Sequence, residues 1–373
     1  MRVRDKLYTL VTARGFVLLV YLGVTVAGSI QKYLAGEHSN FRIFVTSGVD
    51  LVHLRDLYGP PYDTYHYTPT FAFLMIPFFH VPAGFGVVLW NMLNALPFFY
   101  AINSLDISER NKALIWWIVL WELLTSVQNF QTNGLIAALF LWTFTALERG
   151  RPGWAAMCIA LSAFIKVLGL TGVLLFPLYP QGVAASLYLV LWGLVLALLP
   201  WCVVPLGHLV HLYGRWVGHL LLVHEASQGT SVMGILRAWF GLRLGNLWIQ
   251  LVGLGVLCAP LLLRRRYRFL HFRQLVLASM LIWVVLFNHK AESPAFVIAM
   301  TGVALWFALQ EKTKLHLALL AVALVFTSFY PDLLPQWVRQ TYMTPYAVKA
   351  IPGLLIWLKL QHDISRAQQG TPM

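Results

Sequence analysis

The residues best suited to chemistry lie in segment 37–71, EHSNFRIFVTSGVDLVHLRDLYGPPYDTYHYTPTF, the one long polar and aromatic stretch held between apolar runs. Asp50 and Asp63 bring carboxylates to it, and a carboxylate can take a proton from a hydroxyl. Tyr58, Tyr62, Tyr65 and Tyr67 surround Asp63 and His66; tyrosines so grouped suit a membrane interface or stacking on a sugar ring. NHKAESP, residues 288–294, crowds His289, Lys290 and Glu292 into one short connection. An imidazole and an ammonium beside a carboxylate can hold a phosphate or poise a base, and a solvated turn is the plainer alternative.

Lys166 interrupts an apolar run over 154–177. At about 1.5 Å per residue each side of it covers about 18 Å, short of a hydrocarbon core near 30 Å. Two half-length helices meeting at the lysine fit better than one span that buries it. A lysine at the bilayer centre costs at least about 2.5 kcal/mol, so it should face a polar cavity, a bound anion or the outer interface. Glu122, inside the apolar run 112–127, reads as a protonated or hydrogen-bonded structural glutamate before it reads as a catalytic one. In segment 207–245, His211, Arg215 and His219 share a helical face, as do His208 and His211, and His224 and Glu225 follow. A metal site there lacks a second carboxylate, so a wet interfacial helix is the better reading.

These groups need elements to position them, and composition says which kind. Of 373 residues, 59% are hydrophobic and 11% charged, against about 45–50% and 25% for soluble domains. The chain is therefore expected to be all-α, a polytopic transmembrane protein forming one domain over 1–373. Its net charge of +13 sits largely in short loops such as RRRYRFLHFR, 264–273, where it orients spans; nucleic acid is not implied. Cys158, Cys202 and Cys258 lie in apolar runs without metal-ligand spacing and read as packing residues. The basic N-terminus with its apolar run reads as an uncleaved signal anchor.

Apolar stretches at 14–31, 69–104, 112–127, 133–148, 154–165, 168–180, 183–206, 246–263, 274–288, 295–310, 315–330 and 345–360 predict about twelve crossings. Pro69, Pro77, Pro82 and Pro97 leave 69–104 as one kinked crossing or two short ones. With Arg149, Arg151, 264–273, Lys312, Lys314, Lys359 and Arg366 facing the cytoplasm, both termini lie inside. Loop 31–68, QNFQTN at 128–133, segment 207–245, NHKAESP and the turn at 331–343 then share the outer face, where they can converge on one pocket.

Taken in order, DLYGPPYDTYHYTPTFAFLMIPFF, VLWNMLN (88–94), QNFQTNGLIAALFL, ALERGRPGWAAMCIALSAFIKVLG and NHKAESPAF resemble glycosyltransferase family 87 of the GT-C superfamily over about residues 38–305. The likeness is nearest to a branch found in Bacteroidetes-like bacteria. It implies a GT-C-like helical membrane fold in the bacterial plasma (inner) membrane. Its members, such as mycobacterial phosphatidylinositol mannoside mannosyltransferases, pass a sugar from a polyprenyl-phosphate donor to a lipid-linked or cell-envelope glycan acceptor outside the membrane. One departure stands out: where the family carries a loop Asp as base, this chain reads Ser39-Asn40-Phe41. An amide cannot accept the acceptor's proton, which passes the role to Asp63 first, Glu292 second and Asp50 third.

The expected reaction is a single inverting displacement by a hexosyl- or pentosyltransferase. Lys166, His289, Lys290 or Arg42 would balance the leaving phosphate, and His66, Tyr65, Tyr67, Gln128 and Asn133 would line the substrate. A single-phosphate lipid donor asks less of a metal than a nucleotide diphosphate does, which leaves a divalent metal open. The alternatives are a transporter or flippase, which usually shows paired broken helices in two related halves, and a non-catalytic relative that binds a lipid-linked sugar.

Overall fold

The computed structural model of the chain describes residues 9–58, 65–223 and 229–366, and every regular element among them is helical. Helix α1, Arg14–Leu34, leads into segment 37–71, which is not all loop: α2, Ser39–Val52, forms within it. The reason is its spacing, since Phe41, Phe44, Gly48 and Leu51 recur at helical intervals and are buried on one side. The 69–104 stretch divides into α3, Pro69–Phe79, and α4, Ala83–Asn103. Pro82 ends the continuity between them, and Thr68 caps α3 by accepting from the Phe71 amide, with Pro69 at the first helical position.

The central bundle follows as α5, Glu109–Gln128; α6, Asn133–Glu148; α7, Pro152–Ile165; a 3₁₀ segment, Val167–Leu178; and α8, Gly182–Leu198. Beyond it lie α9, Leu206–Val223; α10, Val232–Phe240; α11, Asn246–Cys258; α12, Leu270–Leu286; α13, Phe296–Leu309; α14, Lys314–Ala323; and α15, Ile351–Arg366. Helices α6, α12 and α13 are apolar all round and buried almost throughout, so they form the centre. Val183, Leu187, Val190, Leu191 and Leu194 of α8 are instead exposed, an apolar face of the kind lipid covers. Among the described residues, three helices can each cross a membrane by length and composition: Arg14–Leu34, Ala83–Asn103 and Gly182–Cys202. The other apolar helices are shorter, at 10–17 residues.

The contacts give the bundle two chemically different ends. At one, Glu148 takes Arg273 with both oxygens at 2.6 Å and accepts from the Tyr179 hydroxyl at 2.6 Å. Arg149 donates to the Ser104 carbonyl, Gln274 to that of Asp106 and Arg266 to that of Ile364. The basic groups at 149–151, 264–273 and 366 thus share one end, as the charge pattern predicts. The opposite end collects the turns in which chemistry was expected.

Candidate active site

Lys166 stands where α7 stops. Its backbone is extended, at φ −138° and ψ 125°, so the helix gives way there to the 3₁₀ segment. The Thr68 hydroxyl satisfies one of the carbonyls left open at that helix end, donating to Phe164 O at 2.5 Å. Gly169 folds straight back over the break: a Cβ on it would lie 2.4 Å from the Ser162 carbonyl carbon. The expected pair of half-length helices is therefore what the chain builds, and the ammonium emerges between them. It donates to Asn133 Oδ1 at 2.8 Å and Gln131 Oε1 at 3.3 Å, and stands 6.0 Å from the Tyr67 ring centre.

The turn after α5 owes its shape to Phe130, a left-handed residue at φ +52°. A bulky side chain in that region is strained and persists only where its surroundings hold it. Here α4 does so. The Trp90 indole donates to Phe130 O at 2.9 Å, the Asn91 amide to Val127 O at 3.0 Å, and Asn94 Oδ1 accepts from the Leu135 amide at 3.2 Å. Trp90, Asn91 and Asn94 lie on one helical face, so VLWNMLN is the brace of this turn. The reversal aims Gln131 and Asn133 at Lys166 and leaves Gln128 behind, bonded to Gln31 at 3.3 Å.

Residues 65–68 form the floor. The Tyr67 hydroxyl donates to Gln131 Oε1 at 3.4 Å while its ring stacks on Phe71 at 4.5 Å. Tyr65 is buried and donates to Thr68 O, which makes it packing, not a free stacking face. His66 Nδ1 lies 2.6 Å from His219 Nε2, with the two rings stacked at 4.9 Å. Burial, then the nearby Lys290 and His219, pushes the His66 imidazole down to about 4. The histidine face of α9 closes on the loop: Arg215 is held by Asp56 at 2.8 Å and His219 by His66. Among the described residues no group of three or more His, Cys, Asp and Glu side chains is arranged to hold a metal ion.

The 288–292 corner is shaped by Asn288, whose Oδ1 accepts from the Lys290 amide at 3.0 Å. It is backed by the Thr230 amide, which donates to Ala291 O at 2.9 Å. Lys290 is half-buried; burial lowers its proton affinity and Glu292 partly restores it. The exposed Glu292 carboxylate is within electrostatic range of Lys166, Lys290 and Tyr67. His66, Tyr67, Asn133, Lys166, Lys290 and Glu292 thus form one cluster, the chamber, with His289 on the same corner.

Other expected residues lie elsewhere. Asn40 donates to Asn129 O at 2.9 Å, tying α2 to the turn after α5. Asp50 is buried against Arg55 at 3.1 Å, and Arg42 sits on the exposed side of α2. Asp63 lies outside the described residues, as do His224 and Glu225. Gln131 was not singled out by sequence and differs from Gln128 only through the turn at Phe130; His219 was weighed only as part of the helical face of 207–245, and it meets His66.

Beside the chamber opens an apolar slot of about 350 Å³, lined by Thr68, Phe164, Val167, Leu170, Tyr213 and Trp216 among others. Phe164 and Val167 flank Lys166, and Trp216 donates to His66 O, so slot and chamber share a wall. A second apolar cavity, of about 500 Å³, lies beside Trp239 and Tyr346.

Against known proteins, the family model of glycosyltransferase family 87 matches residues 65–288. The chain belongs to glycosyltransferase family 87. No curated protein matches it. Membership makes it a membrane glycosyltransferase by family, in keeping with its many apolar helices. The matched region carries Tyr67, Gln131, Asn133, Lys166 and His219, the lysine wall and floor of the chamber. The Glu292 corner lies at and beyond the end of the match, so its place in the candidate site rests on the geometry alone.

Proposed function

We propose that the protein transfers a sugar, a hexose such as mannose or a pentose, from a polyprenyl-phosphate donor to a lipid-linked or cell-envelope glycan acceptor. The reaction takes place on the extracytoplasmic face of a bacterial inner membrane, with both termini cytoplasmic. The observation that supports this reading is the chamber itself: a carboxylate faces ammonium groups at the mouth of an apolar slot, a match for a substrate with a sugar, a phosphate and an isoprenoid tail.

In this reading the tail enters the slot between Phe164 and Trp216, and the phosphate meets Lys166 and Lys290. Glu292, or Asp63 of segment 37–71, takes the proton of the acceptor hydroxyl. The acceptor oxygen bonds to the anomeric carbon from the face opposite the phosphate. The bond from that carbon to the phosphate oxygen breaks, its electrons leave with polyprenyl phosphate, and the configuration inverts. Lys166 offsets charge appearing on the leaving oxygen from a position already fixed by Gln131 and Asn133, so little reorganisation is needed during the step.

Purified protein supplied with polyprenyl-phosphate sugars and mixed lipid acceptors should release free polyprenyl phosphate, and an Asp63→Asn, Glu292→Gln variant should not. Equal release from both, across several sugars, would count against the proposal.

A further inference from the structure

The chamber has two walls from distant parts of the chain, and something must hold their separation. Lys166 is fixed by the turn after α5, whereas Glu292 belongs to the corner before α13. A buried ion pair that the proposed displacement does not use touches both the α5 helix and the residue beside Glu292. Lys349 Nζ lies 2.9 and 3.1 Å from the two oxygens of Glu122 and donates to Ser293 Oγ at 2.8 Å. Their side chains are 1% and 0% exposed. The Thr327 hydroxyl fixes the Lys349 carbonyl at 2.9 Å, and the ammonium lies 5.1 Å from the Phe296 ring centre.

A pair this deep is a poor way to gain stability, since apolar residues of similar volume usually do as well or better in its place. What it supplies is geometry. An ammonium has three donors and no acceptor, and here they serve the Glu122 carboxylate and the Ser293 hydroxyl. Ser293 adjoins Glu292 and opens the short 3₁₀ turn Ser293–Ala295, whose proline restricts the backbone at its second position. Glu122 lies on α5, whose C-terminal end runs into the turn that carries Gln131 and Asn133. One ammonium therefore joins the helix behind the Lys166 wall to the residue beside Glu292.

We infer that Lys349 and Glu122 form a positioning clamp, linked through Ser293, that sets the distance between the phosphate-facing wall and the proton-accepting corner. The inference rests on the proposed reading of Glu292, and its test separates the two. Lys349→Met alone strands a buried carboxylate and is expected to melt far below the wild type. The double variant Glu122→Leu, Lys349→Met removes both charges, and Ser293→Ala cuts the link while leaving the pair intact.

In full-length protein reconstituted in nanodiscs, the double variant should melt near the wild type. In both it and Ser293→Ala, peptides covering 288–293 should exchange amide hydrogen at least tenfold faster. With a polyprenyl-phosphate sugar, kcat should fall at least tenfold while KM stays within twofold, because Lys166 and its amides are untouched. Wild-type exchange in both variants, or wild-type kcat in either, overturns the clamp. If the wild type turns over no donor, the chemical reading fails and the exchange measurement still decides: faster exchange supports the clamp and unchanged exchange removes it. If the double variant does not fold, Ser293→Ala carries the same two readouts.

Discussion

Replacing Lys166 with methionine separates a catalytic ammonium from a structural one. Methionine keeps most of the length and apolar volume but removes the charge and the bonds to Asn133 at 2.8 Å and Gln131 at 3.3 Å. Both partner residues are buried, at 2% and 8% exposure; Gln131 Oε1 keeps the Tyr67 hydroxyl, whereas the stranded Asn133 oxygen costs about 1–3 kcal/mol. Against this, the variant no longer holds an ammonium at membrane depth, which by itself costs at least about 2.5 kcal/mol. The two effects nearly offset, and melting should move by only a few degrees. No such compensation operates in the displacement, where charge grows on the phosphate oxygen as the sugar leaves. Losing one preorganised group at such a position lowers kcat by about 10²–10³-fold, or about 2.7–4 kcal/mol. Release of polyprenyl phosphate by reconstituted protein measures the rate, and a thermal melt of the same preparation measures the fold. A folded Lys166→Met variant that turns over within threefold of wild type would falsify the phosphate role and leave the lysine as a tie between two turns.

Three other perturbations follow from the same geometry. Gly169→Ala puts a Cβ 2.4 Å from the Ser162 carbonyl carbon and 2.5 Å from the Ala163 nitrogen, a backbone overlap that no rotamer relieves. It should displace the Lys166 break, cutting turnover at least tenfold and lowering the melting temperature; an alanine variant with wild-type rate and melting would show that the close approach is not needed. Asn40→Asp puts a carboxylate where the resemblance implies the family's loop base, but here the amide donates to Asn129 O. The change should lose that bond, worth about 1 kcal/mol, and should not raise turnover; a tenfold gain in rate would show that position 40 reaches the acceptor. His66 is neutral in the folded protein down to about pH 4, whereas the unfolded chain takes up the proton near 6.5. Between those values the unfolded state binds more protons, so stability falls as pH drops from 6.5 towards 4. Melting temperatures between pH 7.5 and 4.5 should show the decline in the wild type and a flatter profile in His66→Gln; identical profiles would reject His66 as the source.

How much of this was readable beforehand depended on whether the deciding cause was local. The break at Lys166 was readable because the cost of burying an ammonium acts on that residue whatever its partners. The grouping of the basic turns at one end followed from charge counted along the chain. Helix α2 was missed although its spacing was present, because Ser39, Asn40, Arg42 and Thr46 made the segment read as loop while Phe41, Phe44 and Leu51 packed against α3 and α4. Gln128 was chosen over Gln131 because both amides look alike until Phe130 turns left-handed, and that turn depends on Trp90 and Asn91 from another helix. Lys349 was the least readable of all. It lies near the start of the apolar run 345–360, and its carboxylate partner is 227 residues away.

These successes and misses have one cause. Within the hydrocarbon every backbone group must be satisfied inside its own helix, so uninterrupted spans have little freedom to present polar chemistry. Freedom returns only where a helix stops, and each component of the chamber is such a stop. Lys166 ends α7, Gln131 and Asn133 bracket the gap between α5 and α6, residues 65–68 precede α3, and Glu292 precedes α13. A sequence discloses where helices stop through charge, proline and glycine. It does not disclose which stops meet, because that is decided by the pairings of Asn91 with Val127, His66 with His219 and Lys349 with Glu122, each between residues distant along the chain.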